Sequence, residues 1–274
     1  MGSTVQARPK QLGLVMFDAH CHVDRCIEDP HDVITRARQA GVTSMLVAGV
    51  DPQGWLNQNT LAGPGVLMSW GLHPWAVSKN PSTITDSLDV LRSMLSSPPV
   101  PVYAVGEMGL DHGRRIDRGT HRAQEEAFRV QLRLARENAL PVVLHVVSAH
   151  QAAIEILRDE GVPACGGMVH AYSGSAEQVP LYLDLGLHLS FCAAITNPHH
   201  RRVREAIKRV PADRLLVETD APDQTPMSRR PAPNEPAFLI DVISAAAELR
   251  GADPLELATI TTANAEQLFC REHR

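Results

Sequence analysis

Eight short runs rich in Val, Leu, Met and Ala punctuate the chain, at residues 13–17, 43–48, 65–70, 100–105, 141–145, 167–170, 187–190 and 214–218. Each is continuous rather than alternating, as expected of a strand buried on both faces. Between them lie stretches with apolar residues at helical spacing. The clearest is 120–138, where Phe128, Leu132 and Ala135 recur among arginines and glutamates. Stretches 32–40, 83–95, 148–160, 175–185, 199–210 and 237–249 read the same way. A final helix over Pro254–Phe269 is expected to pack outside the barrel. Strand and helix alternating eight times predicts parallel strands joined by crossover helices, an α/β fold of the (β/α)8 TIM barrel type. Such a barrel needs about 250 residues, and the chain has 274. The Pro-rich stretch 221–236 reads as a long loop, and no linker divides the chain. The expectation is one barrel domain over 12–274, preceded by a disordered start at 1–11.

Composition narrows this little. A hydrophobic content of 44% supports a sizeable core. The net charge of -5 makes the molecule no general attractor of polyanions, so a polyanion site must be a local patch. The five cysteines, Cys21, Cys26, Cys165, Cys192 and Cys270, are odd in number and form no CxxC pair. That suits free thiols in a reducing compartment better than a disulfide framework. The start is polar, and no run approaches the roughly 20 apolar residues of a membrane span. A cytoplasmic location without a membrane partner is expected, and no obligate protein partner is evident.

The informative feature is where the polar residues fall. Run one leads into Asp18, His20 and His22; run four into Glu107 and Asp111; runs five and six end on His145 and His170; run eight leads into Glu218 and Asp220. Catalytic groups of such barrels cluster at the C-terminal ends of the strands. Residues two apart on a strand share a face, so His20 and His22 can serve one ion. Taken singly, each residue has a plain alternative: His145 or His170 as a core histidine, Asp220 as a turn cap before Ala221 and Pro222, Glu107 as a helix-start residue. Four imidazoles and two carboxylates buried together without a metal would leave many polar groups unpaired. Imidazole and carboxylate suit zinc, manganese and other divalent ions, and two such ions clamp the attacking and leaving oxygens. His20 and His22 are assigned to one ion and His145 and His170 to the other, with Glu107 bridging. Asp220 is assigned to the first ion and to the proton of the attacking water.

These stretches together resemble the TatD family of metal-dependent hydrolases. The resemblance is carried by residues 17–24, Gly71-Leu-His-Pro74, Gly106-Glu-Met-Gly-Leu-Asp111, His170-Ala-Tyr-Ser-Gly174 and Glu218-Thr-Asp-Ala-Pro222. Residues 124–131, Asn234-Glu-Pro236 and Thr262-Ala-Asn264 extend it over nearly the whole chain. It implies a (β/α)8 barrel, one or two divalent ions (Mg, Mn or Zn) and deoxyribonuclease activity of the 3′ to 5′ exonuclease type. The substrate would be DNA, single-stranded or at 3′ ends, cleaved by a metal-activated water. Two departures stand out. The family usually carries His-x-Arg after strand five, whereas this chain has His145-Val-Val147, and it often has an aromatic residue where this chain has His112. The missing arginine keeps a second reading open: hydrolysis of a small ester, lactone or amide on the same scaffold.

His73 ends strand three beside Pro74. It reads equally as a loop cap and as a catalytic group, either a phosphate contact or a proton donor to the leaving oxygen. Arginine pairs at Arg114 and Arg115 and at Arg229 and Arg230 lie in loops after strands four and eight. With His199 to Arg202 they suggest a phosphate-binding rim that could replace the arginine absent at Val147.

Overall fold

The computed structural model describes residues 14–270; the expectation for residues 1–11 lies outside them. Eight strands, β1 (Met16–Cys21), β2 (Val42–Ala48), β3 (Val66–Trp70), β4 (Val102–Asp111), β5 (Val142–Val147), β6 (Gly167–Val169), β7 (Leu187–Phe191) and β8 (Leu215–Val217), pair in sequence order. All seven pairings are parallel. The ring is completed beyond the end of β8. Asp220 N–H donates to His20 O (3.0 Å), and His22 N–H donates to Ala221 O (2.7 Å). The Asp18 carboxylate adds to the seam by accepting from Thr219 N–H (2.9 Å) and Thr219 Oγ1 (2.5 Å). The barrel therefore closes at the two segments that carry His20, His22 and Asp220.

Helices α1 (Pro30–Gln39), α2 (Pro52–Gln58), α3 (Pro74–Lys79), α4 (Ile84–Ser96), α5 (His121–Glu137), α6 (His150–Glu160), α7 (Val179–Leu183), α8 (Arg201–Ala206), α9 (Leu239–Arg250) and α10 (Pro254–Phe269) follow the strands. Short α2 and α3 were not expected. Their start signal was present, however: a capping side chain followed by proline, as Asp51-Pro52 and His73-Pro74. The Asp51 side chain accepts from Gly54 N–H and the His73 ring from Trp75 N–H. The helices expected at 175–185 and 199–210 shrink to α7 and α8, the second because the chain tightens into a 3-10 turn at Ile207–Arg209.

The core has two parts. A broad layer lies between the sheet and the helices, with Val47, Trp70, Val105, Phe128 and Leu189 among its members. A smaller cluster fills the barrel with Phe17, Ala19, Leu46, Leu67, Ala104, Val143, Met168 and Leu216, contributed by seven strands. Helix α10 does not stay outside. Ala265, Leu268 and Phe269 join the inner cluster, and the Phe269 ring stacks on Phe17 at 6.1 Å. Thr262 Oγ1 bridges Phe17 N–H and Val15 O, and Asn264 Nδ2 donates to Leu215 O and Ala212 O. Helix α10 thus seals the N-terminal ends of β1 and β8, leaving the other end as the working face.

Truncating a buried phenylalanine costs about 3–5 kcal/mol. Phe269→Ala is expected to lower stability by about that much in urea denaturation, since its ring plugs the barrel floor. A loss below about 1 kcal/mol would show that the floor is not sealed by this ring.

Candidate metal centre

Two irregularities in the sheet aim the site. Between Asp18 and Cys21, β1 advances three residues while β2 advances two; between Val105 and Met108, β4 does the same against β5. Such bulges re-aim side chains next to active sites. On β1, Phe17 and Ala19 face the interior but Cys21 faces the outer layer. The phase change turns His20 and His22 into the mouth. On β4, Ala104 faces inward and Val105 and Met108 outward, which leaves Glu107 pointing in. Glycine is required on both sides of it. Gly106 has φ 155° and Gly109 φ 138°, and a Cβ on Gly109 would lie 2.2 Å from His145 O. At the opposite wall Asp220 adopts φ 57° and Ala171 φ 41°, left-handed conformations uncommon in non-glycine residues.

Glu107 is buried at the centre. Its Oε1 lies 2.6 Å from His170 Nε2, 2.7 Å from His145 Nδ1 and 3.1 Å from His73 Nε2. Its Oε2 lies 3.4 Å from His20 Nε2 and 3.3 Å from His22 Nε2. Asp220 Oδ1 stands 3.7 and 3.8 Å from the same two histidine nitrogens. The six expected ligands therefore meet, with His20, His22 and Asp220 beside one oxygen of Glu107 and His145 and His170 beside the other. Three donor sets lie close enough to hold an ion: His20, His22 and Asp220; His20, Glu107 and His170; and His73, Glu107 and His145.

The donors fit a divalent cation. Glu107 Oε2, a carboxylate oxygen with essentially no solvent, has no hydrogen-bond partner, and a buried unpaired carboxylate oxygen is costly. Three of the rings have an oxygen near their far nitrogens, the arrangement common around metal-binding histidines. His22 Nδ1 donates to Ala48 O (2.9 Å), His170 Nδ1 lies 3.4 Å from Glu218 Oε1, and His145 Nε2 lies 3.4 Å from Asp111 Oδ2. His73 differs. Its Nδ1 accepts from Trp75 N–H (2.9 Å), so the neutral ring carries its proton on Nε2, directed at Glu107 Oε1. In that form it has no lone pair to offer a metal.

Asp111 and Glu218 were not among the expected site residues. Both were visible, as carboxylates sharing a strand face with Glu107 and Asp220, but nothing in the chain showed which histidine each would hold. Glu218 Oε1 also accepts from Ala171 N–H (2.6 Å), fixing the turn after His170. Gln124 and Gln131, two turns apart on α5, pin the strand ends. The first brackets Asp111 N–H and C=O, and the second brackets Leu72 N–H and C=O beside His73.

Charge in the cluster is set by Glu107. Burial alone would raise its carboxyl, but His170, His73 and His20 hold it well below its ordinary range. Burial likewise opposes charge on His22, His145 and His170, yet the carboxylates around them raise all three, His170 most. Burial pushes His20 and His73 down to about 4. Burial also lifts Asp220 to about 7, against the opposing pull of His170 and His22.

The site opens into a cavity of about 1130 Å³, whose walls include Trp75, Val147, Arg25 and Arg230. Arg25 was not foreseen. Of the expected rim, Arg230 lines the cavity. Arg229 instead grips Asp241 through Nε (2.9 Å) and Nη2 (2.8 Å) and lies 4.7 Å over Phe238. Arg114 and Arg115 are exposed on the loop after β4, outside the cavity lining. His112 stacks on His121 at 3.6 Å, away from the cluster.

Fold and site together define a metal-dependent hydrolase on a (β/α)8 barrel. The family model described as TatD related DNase matches residues 17–270, and the chain belongs to that family. It is 34% identical to the uncharacterised metal-dependent hydrolase YcfH of Escherichia coli K12 over 93% of this chain and 96% of that one. It is 36% identical to the 3′-5′ ssDNA/RNA exonuclease TatD of Pantoea vagans, over 88% and 93% of the two chains. The crystal structure of YjjV, a TatD homologue from Escherichia coli K12, superposes with a TM-score of 0.87 at 31% identity, covering 94% and 98%.

Two outcomes are expected. Glu107→Ala should lose far more metal affinity than His73→Ala in calorimetric titration, because Glu107 faces both ligand groups and His73 offers them no lone pair; equal losses would reverse that assignment. Second, ligand nitrogens must shed their protons to bind, and His22, His145 and His170 all have raised pKa values. Zinc binding near pH 7 should therefore release protons, and affinity should fall as pH falls. Heats measured in two buffers of different ionisation enthalpy give the number released; no release would contradict the charge pattern.

Proposed function

We propose that this hydrolase is a deoxyribonuclease that removes nucleotides from the 3′ ends of single-stranded DNA. The observation that carries the reading is Glu107, with separate histidine groups on its two oxygens at the mouth of an open cavity. His20, His22 and Asp220 with Glu107 Oε2 would hold one divalent ion, and His145 and His170 with Glu107 Oε1 a second. An ion bound there would polarise a phosphoryl oxygen and acidify water beside it. The other roles belong to the chain itself. Asp220, at the cavity wall, accepts the proton of the attacking water at its carboxylate. Arg230 and Arg25 offer the cavity's guanidinium groups for the phosphates, taking the place of the arginine absent at Val147. His73 keeps its Nε2 proton on Glu107 and orients that carboxylate; this is a positioning role rather than proton donation to the leaving oxygen. Relatives named 3′-5′ ssDNA/RNA exonuclease support the substrate class.

The test sets end-labelled single-stranded DNA against small esters, lactones and amides, each with magnesium, manganese or zinc. Stepwise loss of 3′ nucleotides is expected. Turnover of the small substrates alone would overturn the nuclease reading in favour of the amidohydrolase-type one. Removing a general base typically costs about 10²–10⁴-fold in rate. Asp220→Asn should fall at least that far while the barrel still folds by circular dichroism; activity within tenfold of the parent would remove Asp220 from the base role.

A further inference from the structure

One wall of the cavity is a tryptophan whose exposure the metal chemistry leaves unused. Of the three tryptophans, Trp55 and Trp70 are 0% exposed, whereas Trp75 is 48% exposed. It is nonetheless fixed on three sides. Its Nε1–H donates to Asp111 Oδ2 (2.5 Å), and its ring meets His73 edge-to-face at 4.9 Å and His145 at 6.1 Å. Its backbone N–H is bound by His73 Nδ1 (2.9 Å). The one polar atom of the indole is thus already committed, and what Trp75 offers the cavity is a held, flat, apolar ring. That ring touches His145, which lies 2.7 Å from Glu107.

We propose that Trp75 is a stacking platform for the nucleobase at the 3′ end of a single strand, and so helps select single-stranded nucleic acid over small esters. The inference rests on the nuclease reading above. A held aromatic ring beside phosphate-handling groups is complementary to a nucleotide, which carries a flat base a few bonds from its phosphate. A base inside a duplex already has both faces stacked on its neighbours, so the platform favours an unpaired end. Stacking is tolerant of base identity because every base has a π-face. Specificity would then lie in strandedness rather than sequence.

All three tryptophans emit, but Trp55 and Trp70 are buried, so quenching by a stacked base is expected at Trp75 and should be lost in Trp75→Phe. The experiment titrates the full chain into a fluorescein-labelled 12-residue oligodeoxynucleotide whose last linkage is a phosphorothioate, to slow cleavage, and reads binding by anisotropy, which does not depend on Trp75. A matched strand carries abasic sugars at its two 3′ positions. The normal strand is expected to quench the emission and to bind about tenfold tighter than the abasic one, the lower part of the range for a base–aromatic stack. Trp75→Phe, which keeps a ring but loses the N–H to Asp111, should bind the normal strand within about threefold of the parent. Trp75→Ala should bind about tenfold more weakly, lose the preference over the abasic strand, and raise KM more than it lowers kcat. Cleavage of DNA with no preference between the two strands, and parent-like binding by Trp75→Ala, would overturn the stacking role while the nuclease reading stood. Equal losses in Phe and Ala variants would overturn it in favour of a positioning role through Asp111. Neither binding nor cleavage of either strand would overturn both readings together.

Discussion

Five imidazole nitrogens converge on the two oxygens of one buried carboxylate, Glu107, and the rest of the working face is arranged around that contact. A buried carboxylate is costly unless neighbours compensate its charge. Here the compensation comes from side chains on or just beyond β1, β5 and β6 and from the cap of α3. No local segment could supply it. The ring of parallel strands brings those nitrogens to 2.6–3.4 Å from the Glu107 oxygens. The surrounding carboxylates favour the charged form of His22, His145 and His170, and Glu107 Oε2 has no hydrogen-bond partner although two imidazole nitrogens approach it. Divalent cations fit because they replace several protons with one centre and satisfy that oxygen.

The cost of the arrangement is visible in the backbone. Bulges in β1 and β4, glycines beside Glu107, and left-handed Asp220 and Ala171 all depart from ideal strand geometry. They are held by a floor with regular apolar packing. Inner residues from Phe17 to Leu216 and the plug from α10 keep the N-terminal half of the barrel dense. Stability and function are thus placed at opposite ends of the same strands, and a change at one end need not disturb the other. Barrel closure is the exception. The β1–β8 seam runs through Asp18, His20, Thr219 and Asp220, so the seam and the ligand set share residues.

What could be read from the sequence depended on whether the signal was periodic or relational. Strand and helix alternation is local, and it was legible, as was the convergence of six ligand-type residues on strand ends. The length of β4 was not. The apolar run ends at Val105, yet the strand continues to Asp111 past Gly106 and Gly109, whose lack of a side chain lets the chain pass close to the β5 backbone. The fate of Arg229 was equally hidden. Its partner Asp241 lies on α9, and nothing in the Arg229-Arg230 pair distinguishes a residue locked to a helix from one facing the cavity. The plug role of α10 has no local signal, because it depends on the ring of Phe17 across the barrel.

His73 is the helix cap that one of its two readings expected, and the cap sets how the ring meets the cluster. As the cap of α3 it gives its Nδ1 lone pair to Trp75 N–H, and that commitment fixes the tautomer. The proton left on Nε2 can reach only what lies in front of it, which is Glu107 Oε1 at 3.1 Å. A helix start therefore decides the protonation state of a ring in the metal centre and, through that ring, the side from which Glu107 receives its hydrogen bond. The same turn presents Trp75 to the cavity. One six-residue helix, α3, thus couples the orientation of the central carboxylate to the surface that substrate would meet first, without any residue of the helix serving as a metal ligand.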